Sequence, residues 1–169
     1  AGAQLLPIVM DLYGLQGWEI RRIEPHDGGR NVLYNCEHAS GGAGAKILRI
    51  AFLNDRGRED FLAEVEYIRY LSAHGASVSD VVRSRKGNLL EEITHQDHTY
   101  YVCLFEKARG KLLVENQYRY REGVPLGGYF YNCGKVLGKL HQLSKEYMPV
   151  NRRYGFFDKY TRAYIDQLI

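Results

Sequence analysis

Residues 46–71 constrain the fold most, because their periodicity changes from that of a strand to that of a helix. Residues 46–52 are apolar and rich in β-formers, with the basic residue Arg49 inside the run. Over 58–73 apolar side chains recur at helical spacing, and Glu64 lies within that apolar stripe. A carboxylate facing a core is costly unless it meets a cation, and the preceding strand supplies one in Arg49 or Lys46. The stretch therefore predicts an ion pair between a strand and the helix after it.

Composition limits the classes of protein to which the chain can belong. Its 169 residues can hold one domain, or one lobe of a larger enzyme. A content of 45% hydrophobic and 25% charged residues is typical of a globular domain. We expect no nucleic-acid partner, because the net charge is only +3 and the 14 tyrosines are not interleaved with basic runs. We expect no membrane partner, because no apolar run is long enough to span a bilayer.

Cysteine usage and polar clusters predict no metal site. The chain has three cysteines: Cys36, Cys103 and Cys133. They are odd in number and far apart, so we expect reduced thiols in a cytoplasm. His95, Asp97 and His98 share a short polar turn without a fourth ligand, which favours an exposed turn over a metal site. Cys103 is expected in the core rather than as a nucleophile, and residues 91–92 (Glu-Glu) at a solvated strand end.

The remaining patterns predict an α+β chain. A first helix is expected over 3–16, and a further helix over 58–73. Strands are expected over 18–23, 31–37, 46–52, 81–84, 88–93 and 100–105. They would form one antiparallel sheet of five or six strands with one inserted helix. Helices are expected again from 128 to about 147 and over 156–169. The domains predicted are 1–106, a connector over 107–127, and the start of a helical part over 128–169.

Five short stretches then occur in an order and spacing that one group of enzymes shares. They are Asn-Val-Leu-Tyr at 31–34, Lys-Ile-Leu-Arg-Ile at 46–50, Ala-Glu-Val-Glu-Tyr-Ile-Arg-Tyr-Leu at 63–71, Leu-Phe-Glu-Lys-Ala-Arg-Gly at 104–110 and Leu-Gly-Lys-Leu-His at 137–141. On these stretches the chain resembles the aminoglycoside phosphotransferase and choline kinase group, small-molecule kinases with a protein-kinase-like fold. The resemblance implies an ATP-binding N-terminal lobe over 1–106, a hinge and linker, and an incomplete helical C-terminal lobe.

The resemblance also implies roles for individual residues in nucleotide binding. These residues are Arg49, Glu64, Ile47, Glu106, Ala108, Gly28 and Gly29. Arg49 stands where the group has a phosphate-binding lysine, and Glu64 stands for that lysine's helix partner. Ile47 would cover the adenine, and the Glu106 carbonyl and Ala108 amide would bind its edge. Gly28 and Gly29 would lie over the phosphates. Lys46 is the alternative phosphate ligand, although it lies on the other strand face.

One departure from the group concerns the chemistry. The chain has no His-Gly-Asp catalytic loop with a following Asn, and no later metal-binding Asp. In this group both lie further along, so we expect no catalytic residue and no metal ligand in these 169 residues. His141 is expected to be a packed structural residue instead. ATP and Mg²⁺ are the expected cofactors, with the Mg²⁺ ligands outside the chain.

The predicted function is that of the ATP-binding portion of a phosphotransferase acting on a hydroxyl of a small molecule. This piece alone is expected to bind ATP weakly and to be inactive. The alternative is a non-catalytic nucleotide-binding or protein-interaction domain with a kinase-like lobe. The acceptor substrate and the oligomeric state cannot be read from the sequence.

Overall fold

The computed structural model describes residues 2–24, 31–41, 44–52, 56–110 and 126–151. Within these ranges the chain forms three helices and six strands. In order they are α1 (Gly2–Tyr13), β1 (Trp18–Ile23), β2 (Asn31–His38), β3 (Lys46–Ala51), α2 (Arg58–Ala73), β4 (Val81–Val82), β5 (Glu91–His95), β6 (His98–Glu106) and α3 (Leu126–Glu146). The predicted α+β class and inserted helix are confirmed. The helix predicted over 156–169 lies outside the described residues, and the domain boundaries remain predictions.

The six strands form one antiparallel sheet in which β6 is central. Its order is β1-β2-β3-β6-β4, and β5 also pairs with β6. Because β3 occupies one edge of β6, β4 and β5 share the other edge end to end. β5 and β6 are joined by a two-residue turn in which Gln96 and Asp97 have φ of 48° and 60°. Positive φ at both central residues is the hairpin geometry that matches strand twist.

Side-chain alternation gives the sheet two buried faces. On one face Leu48 and Ile50 of β3 pack with Leu5 and Val9 of α1, in a cluster that extends to Tyr34. We call this the α1 face.

On the other face Ala51 of β3 and Cys103 of β6 pack with Phe61 and Val65 of α2. We call this the α2 face. The apolar stripe of α2 seen in the sequence therefore covers the sheet as predicted, and each helix shields one side of the strands from water.

The last turns of α3 contact α2. Tyr70 donates a hydrogen bond from its hydroxyl to the Leu143 carbonyl at 3.2 Å, and the hydroxyls of Tyr67 and Ser144 are also bonded. Leu143 is the one residue of α3 that is fully buried against the described residues. Helix α2 thus lies between the sheet and α3.

Two predictions about individual side chains were wrong. His141 is exposed rather than packed, because only the end of α3 reaches α2. Glu91 is buried, 5% exposed, where it accepts a hydrogen bond from the Asn88 amide at 3.1 Å; Glu92 is the exposed member of the pair. Alternation on β5 turns one of two adjacent glutamates inward.

Candidate nucleotide-binding site

The predicted ion pair between β3 and α2 is present. Arg49 Nη1 lies 2.7 Å from Glu64 Oε1, and the two side chains are 13% and 30% exposed. Arg49 is placed by the β3 register, opposite Leu33 of β2 and Cys103 of β6, which points it to the α2 face. Glu64 faces it from the second turn of α2. Because little of the Arg49 side chain is exposed to water, contacts with other residues set the orientation of its guanidinium.

Three side chains surround the Arg49 guanidinium besides Glu64. Its Nη2 donates to the Cys103 sulfur at 3.5 Å. The guanidinium carbon lies 5.7 Å from the centre of the Phe61 ring and 5.2 Å from that of Phe105. These are cation–π distances, which favour a planar cation over an ammonium. An arginine at this position therefore fits the space between the two aromatic rings.

The protonation of this cluster follows from its burial. Burial lowers the pKa of Arg49, but Cys103 and Glu64 raise it by more, so its net pKa is raised. Burial raises the pKa of Cys103, which keeps the sulfur a thiol. Arg49 is therefore a permanent cation with one carboxylate partner. Its buried Nε has no hydrogen-bond acceptor among the described residues.

Helix α2 is fixed on the side away from Arg49 as well. Glu66 accepts a hydrogen bond from the Asn151 amide at 2.9 Å, and Arg69 pairs with Asp80 before β4. Glu64 and Glu66 thus point to opposite sides, as the helical period predicts. Any shift of α2 would have to break contacts to both the sheet and the segment after α3.

The end of β6 is the segment for which a hinge is predicted. The Glu106 amide donates to the Asp80 carbonyl at 2.8 Å, and the Lys107 amide donates to the Ala45 carbonyl at 3.0 Å. Glu106 and Ala108 are exposed, and within the described ranges the Ala108 amide has no backbone acceptor. The strand therefore ends in a tethered segment that still offers exposed backbone groups.

The structure separates the two candidate phosphate cations. Lys46 Nζ lies 2.6 Å from Glu106 Oε1 and 5.9 Å from the centre of the Trp18 ring. It is thus on the α1 face and paired with Glu106 at the end of β6, while Arg49 is on the α2 face with Glu64. Ile47 is half-buried on the same side as Arg49. Gly28 and Gly29 lie outside the described residues.

Sequence reasoning missed the surroundings of these cations. Alternation on β6 puts Cys103 and Phe105 on one face, which is visible in the sequence, but their position beside Arg49 depends on the pairing of β3 with β6. No group of three His, Cys, Asp or Glu side chains able to hold a metal occurs in the described parts of the chain. Within those parts, no helix has both the length and the apolar character needed to cross a membrane.

An antiparallel sheet joined to its one inserted helix by an Arg–Glu pair is the N-terminal lobe of a kinase-like fold. An amicoumacin kinase in complex with AMP-PNP, Ca²⁺ and Ami matches with a TM-score of 0.74 at 24% identity, covering 93% of this chain and 45% of that one. A microcompartment-associated aminopropanol kinase matches at 0.69 and 18% identity, covering 96% and 47%. A spectinomycin phosphotransferase in complex with ADP and spectinomycin matches at 0.61 and 13% identity, covering 99% and 47%.

The sequence narrows this class to one family. Residues 22–168 match the phosphotransferase enzyme family (APH), and the chain belongs to that family. Amicoumacin kinase of Bacillus subtilis (strain 168) is 26% identical over 149 residues, which are 88% of this chain and 40% of that protein. The chain therefore spans less than half the length of the relatives named here.

Proposed function

We propose that this chain is the nucleotide-binding portion of an ATP-dependent phosphotransferase that acts on a hydroxyl group of a small molecule. The observation that carries the proposal is the 2.7 Å contact between Arg49 and Glu64, on the sheet face that α2 covers. Membership of the phosphotransferase family and relatives that are small-molecule kinases support the same reading.

The proposed roles follow from the contacts of each residue. Arg49 donates its free N–H groups to a phosphate oxygen of ATP, while Glu64 and the two aromatic rings hold the guanidinium in place. Ile47 covers the adenine with an apolar surface. The Glu106 carbonyl and Ala108 amide pair with the adenine edge. Gly28 and Gly29 remain proposed as contacts to the phosphates.

The reaction proposed for the whole protein is phosphoryl transfer. The acceptor oxygen bonds to the γ-phosphorus, the bond from that phosphorus to the β–γ bridging oxygen breaks, and ADP leaves. A base of the whole protein takes the hydroxyl proton, and we assign that role to no residue of this chain. The described residues bring no cluster of carboxylates together, so they do not fit a Mg²⁺ site, and we assign the metal no ligand here.

A cytoplasmic location is part of the proposal. All three cysteines are free thiols, Cys36 and Cys103 buried and Cys133 exposed. Unpaired cysteines are the state expected in a reducing compartment.

Calorimetric titration of ATP, ADP and adenosine into the protein tests the proposed role of Arg49. Arg49→Ala should weaken ATP and ADP binding by roughly tenfold or more, since a hydrogen bond to a charged group contributes about 1.5–3 kcal/mol. Adenosine, which has no phosphate, should bind the variant and the parent alike. Arg49→Lys should retain part of the ATP affinity, because an ammonium keeps the charge but not the planar fork.

A matched control is Lys86→Ala, an exposed cation in the turn between β4 and β5, remote from Arg49. Its ATP affinity should equal that of the parent. Equal losses of ATP and adenosine binding in Arg49→Ala would show that the residue is structural only. The absence of ATP binding to the parent at millimolar concentration would contradict the proposal itself.

A further inference from the structure

A second pocket lies on the α1 face of the sheet, away from the Arg49–Glu64 pair. Its volume is about 610 Å³, and its floor includes Tyr34, Ile50 and Tyr100. These three belong to the core cluster that packs on α1, not to the cluster around α2. A volume of this size is within the range of small-molecule sites. The sheet therefore separates this pocket from the proposed nucleotide site, which lies on its other face.

The pocket walls are largely apolar and aromatic. Ile50 and Tyr100 are 2% and 6% exposed, while Phe52 is 42% exposed at the rim. The Phe52 ring lies 5.4 Å from that of Tyr100 and tilts against it, and 5.0 Å from that of His98. An exposed phenylalanine packed against a buried tyrosine offers a surface that an apolar ligand body can cover.

Among the described residues that line the pocket, the one charged side chain is the cation Arg22. None of the described residues that line the pocket is a carboxylate, and no described carboxylate lies within ion-pair distance of Arg22. The hydroxyls of Tyr34 and Tyr100 are the other polar side-chain groups of the described lining, and these two residues are 4% and 6% exposed. Burial raises the pKa of Tyr34 and Arg22 opposes the rise, which is the effect of a cation close to that hydroxyl. The polar end of the pocket thus combines an uncompensated positive charge with a neutral donor.

The neighbouring arginine shows that this arrangement is specific to one strand face. Arg21 points to the other side of β1, where it pairs with Glu19 at 3.1 Å and with Glu37 at 3.3 Å. Arg21 is thus neutralised by carboxylates, whereas Arg22 is not. The first turn of α1, with Gly2 and Ala3 at the pocket edge, adds backbone amides that favour a negative group.

We propose that this pocket binds small carboxylic acids with an aryl or alkyl body, with the carboxylate at Arg22 and Tyr34 and the apolar body against Ile50, Phe52 and Tyr100. Charge complementarity selects the acid, since a carboxylate pairs with a guanidinium in two parallel hydrogen bonds. The hydrophobic walls select the body.

Calorimetric titration with 4-phenylbutyrate, octanoate and the uncharged 4-phenylbutan-1-ol tests the proposal. Both acids should bind the protein with one site, and the alcohol should bind at least tenfold more weakly than 4-phenylbutyrate. Arg22→Gln should reduce acid affinity by about tenfold or more, to the level of the alcohol. Arg21→Gln, the matched control on the same strand, should leave acid affinity unchanged. Ala3→Trp, at an exposed helix position on the pocket edge, should fill the pocket and abolish binding.

Competition with ATP separates the two sites. Neither ATP nor the Arg49→Ala variant should change the affinity for 4-phenylbutyrate. The proposal is overturned if neither acid binds, if acid and alcohol bind equally, if Arg22→Gln matches the parent, or if ATP displaces the acid.

Discussion

The ion pair between β3 and α2 makes a strong prediction about stability. Replacing Glu64 by Ala leaves Arg49 charged, because a guanidinium is not deprotonated in proteins. In the parent its side chain is 13% exposed and lies between two aromatic rings. Removing one partner of a buried pair costs about 3–5 kcal/mol. Glu64 is 30% exposed, so water can reach part of the vacated space. We therefore expect Glu64→Ala to lower the free energy of unfolding by about 2 kcal/mol.

The reverse deletion should cost less. Arg49→Met leaves Glu64 without its cation, but this carboxylate is already partly hydrated. Replacing both residues, in Arg49→Met/Glu64→Leu, removes both charges from the interface, so stability should return to within about 1 kcal/mol of the parent. The double variant must therefore be more stable than Glu64→Ala, although it carries more substitutions.

Urea unfolding followed by circular dichroism measures these differences. With a slope of about 1–3 kcal/mol per molar urea, Glu64→Ala should shift the midpoint down by roughly 1 M. Glu66→Ala is the matched control on the opposite side of α2, where one hydrogen bond to Asn151 is lost, at a cost of about 0.5–1 kcal/mol. A buried, uncompensated Arg49 charge is excluded as the cause if Glu64→Ala costs no more than Glu66→Ala, or if the double variant is as unstable as Glu64→Ala.

Two further predictions concern the core on the α1 face. Tyr13→Phe removes a buried hydrogen bond of 3.0 Å to the Val102 carbonyl and should cost about 1 kcal/mol, seen as a fall of roughly 2–4 °C in Tm. Tyr131→Phe, at a tyrosine 69% exposed, should leave Tm unchanged, and equal shifts for the two variants would contradict this account. Burial raises the pKa of Cys36 to about 11 from 9.0, so the folded chain keeps a proton that the unfolded chain loses, and stability should fall as pH rises from 9 to 11. Urea midpoints measured across that pH range should fall less in Cys36→Ala than in the parent. An equal or steeper fall would rule out Cys36 as a source of the pH-dependent loss of stability.

The sequence predicted the elements well where periodicity is local. The bounds of β1 and α2 match the predicted ranges, and α3 begins at Leu126 where helix was expected from residue 128. Glu64 was picked out because helical geometry places it on an apolar stripe, whatever lies opposite. The resemblance to a kinase family needed only the order of such elements. These features depend on residues within a few positions of one another.

The tertiary structure decided which side chains form ion pairs and which strand faces are buried. The sequence offered Arg49 or Lys46 as the cation for Glu64, and the pairing of β3 with β6 gave Lys46 to Glu106 and Arg49 to Glu64. The same pairing placed Phe105 and Cys103 around the guanidinium. The burial of Glu91 beside the exposed Glu92 also depends on which strand face a neighbour covers. The same holds for Arg21, which pairs with Glu19 and Glu37, and for Arg22, which has no ion-pair partner among the described residues. Local periodicity is encoded in residues that are close in sequence. Strand register and packing instead join residues that are far apart in sequence, such as Lys46 and Glu106, which are 60 positions apart. Only the folded chain brings such residues together.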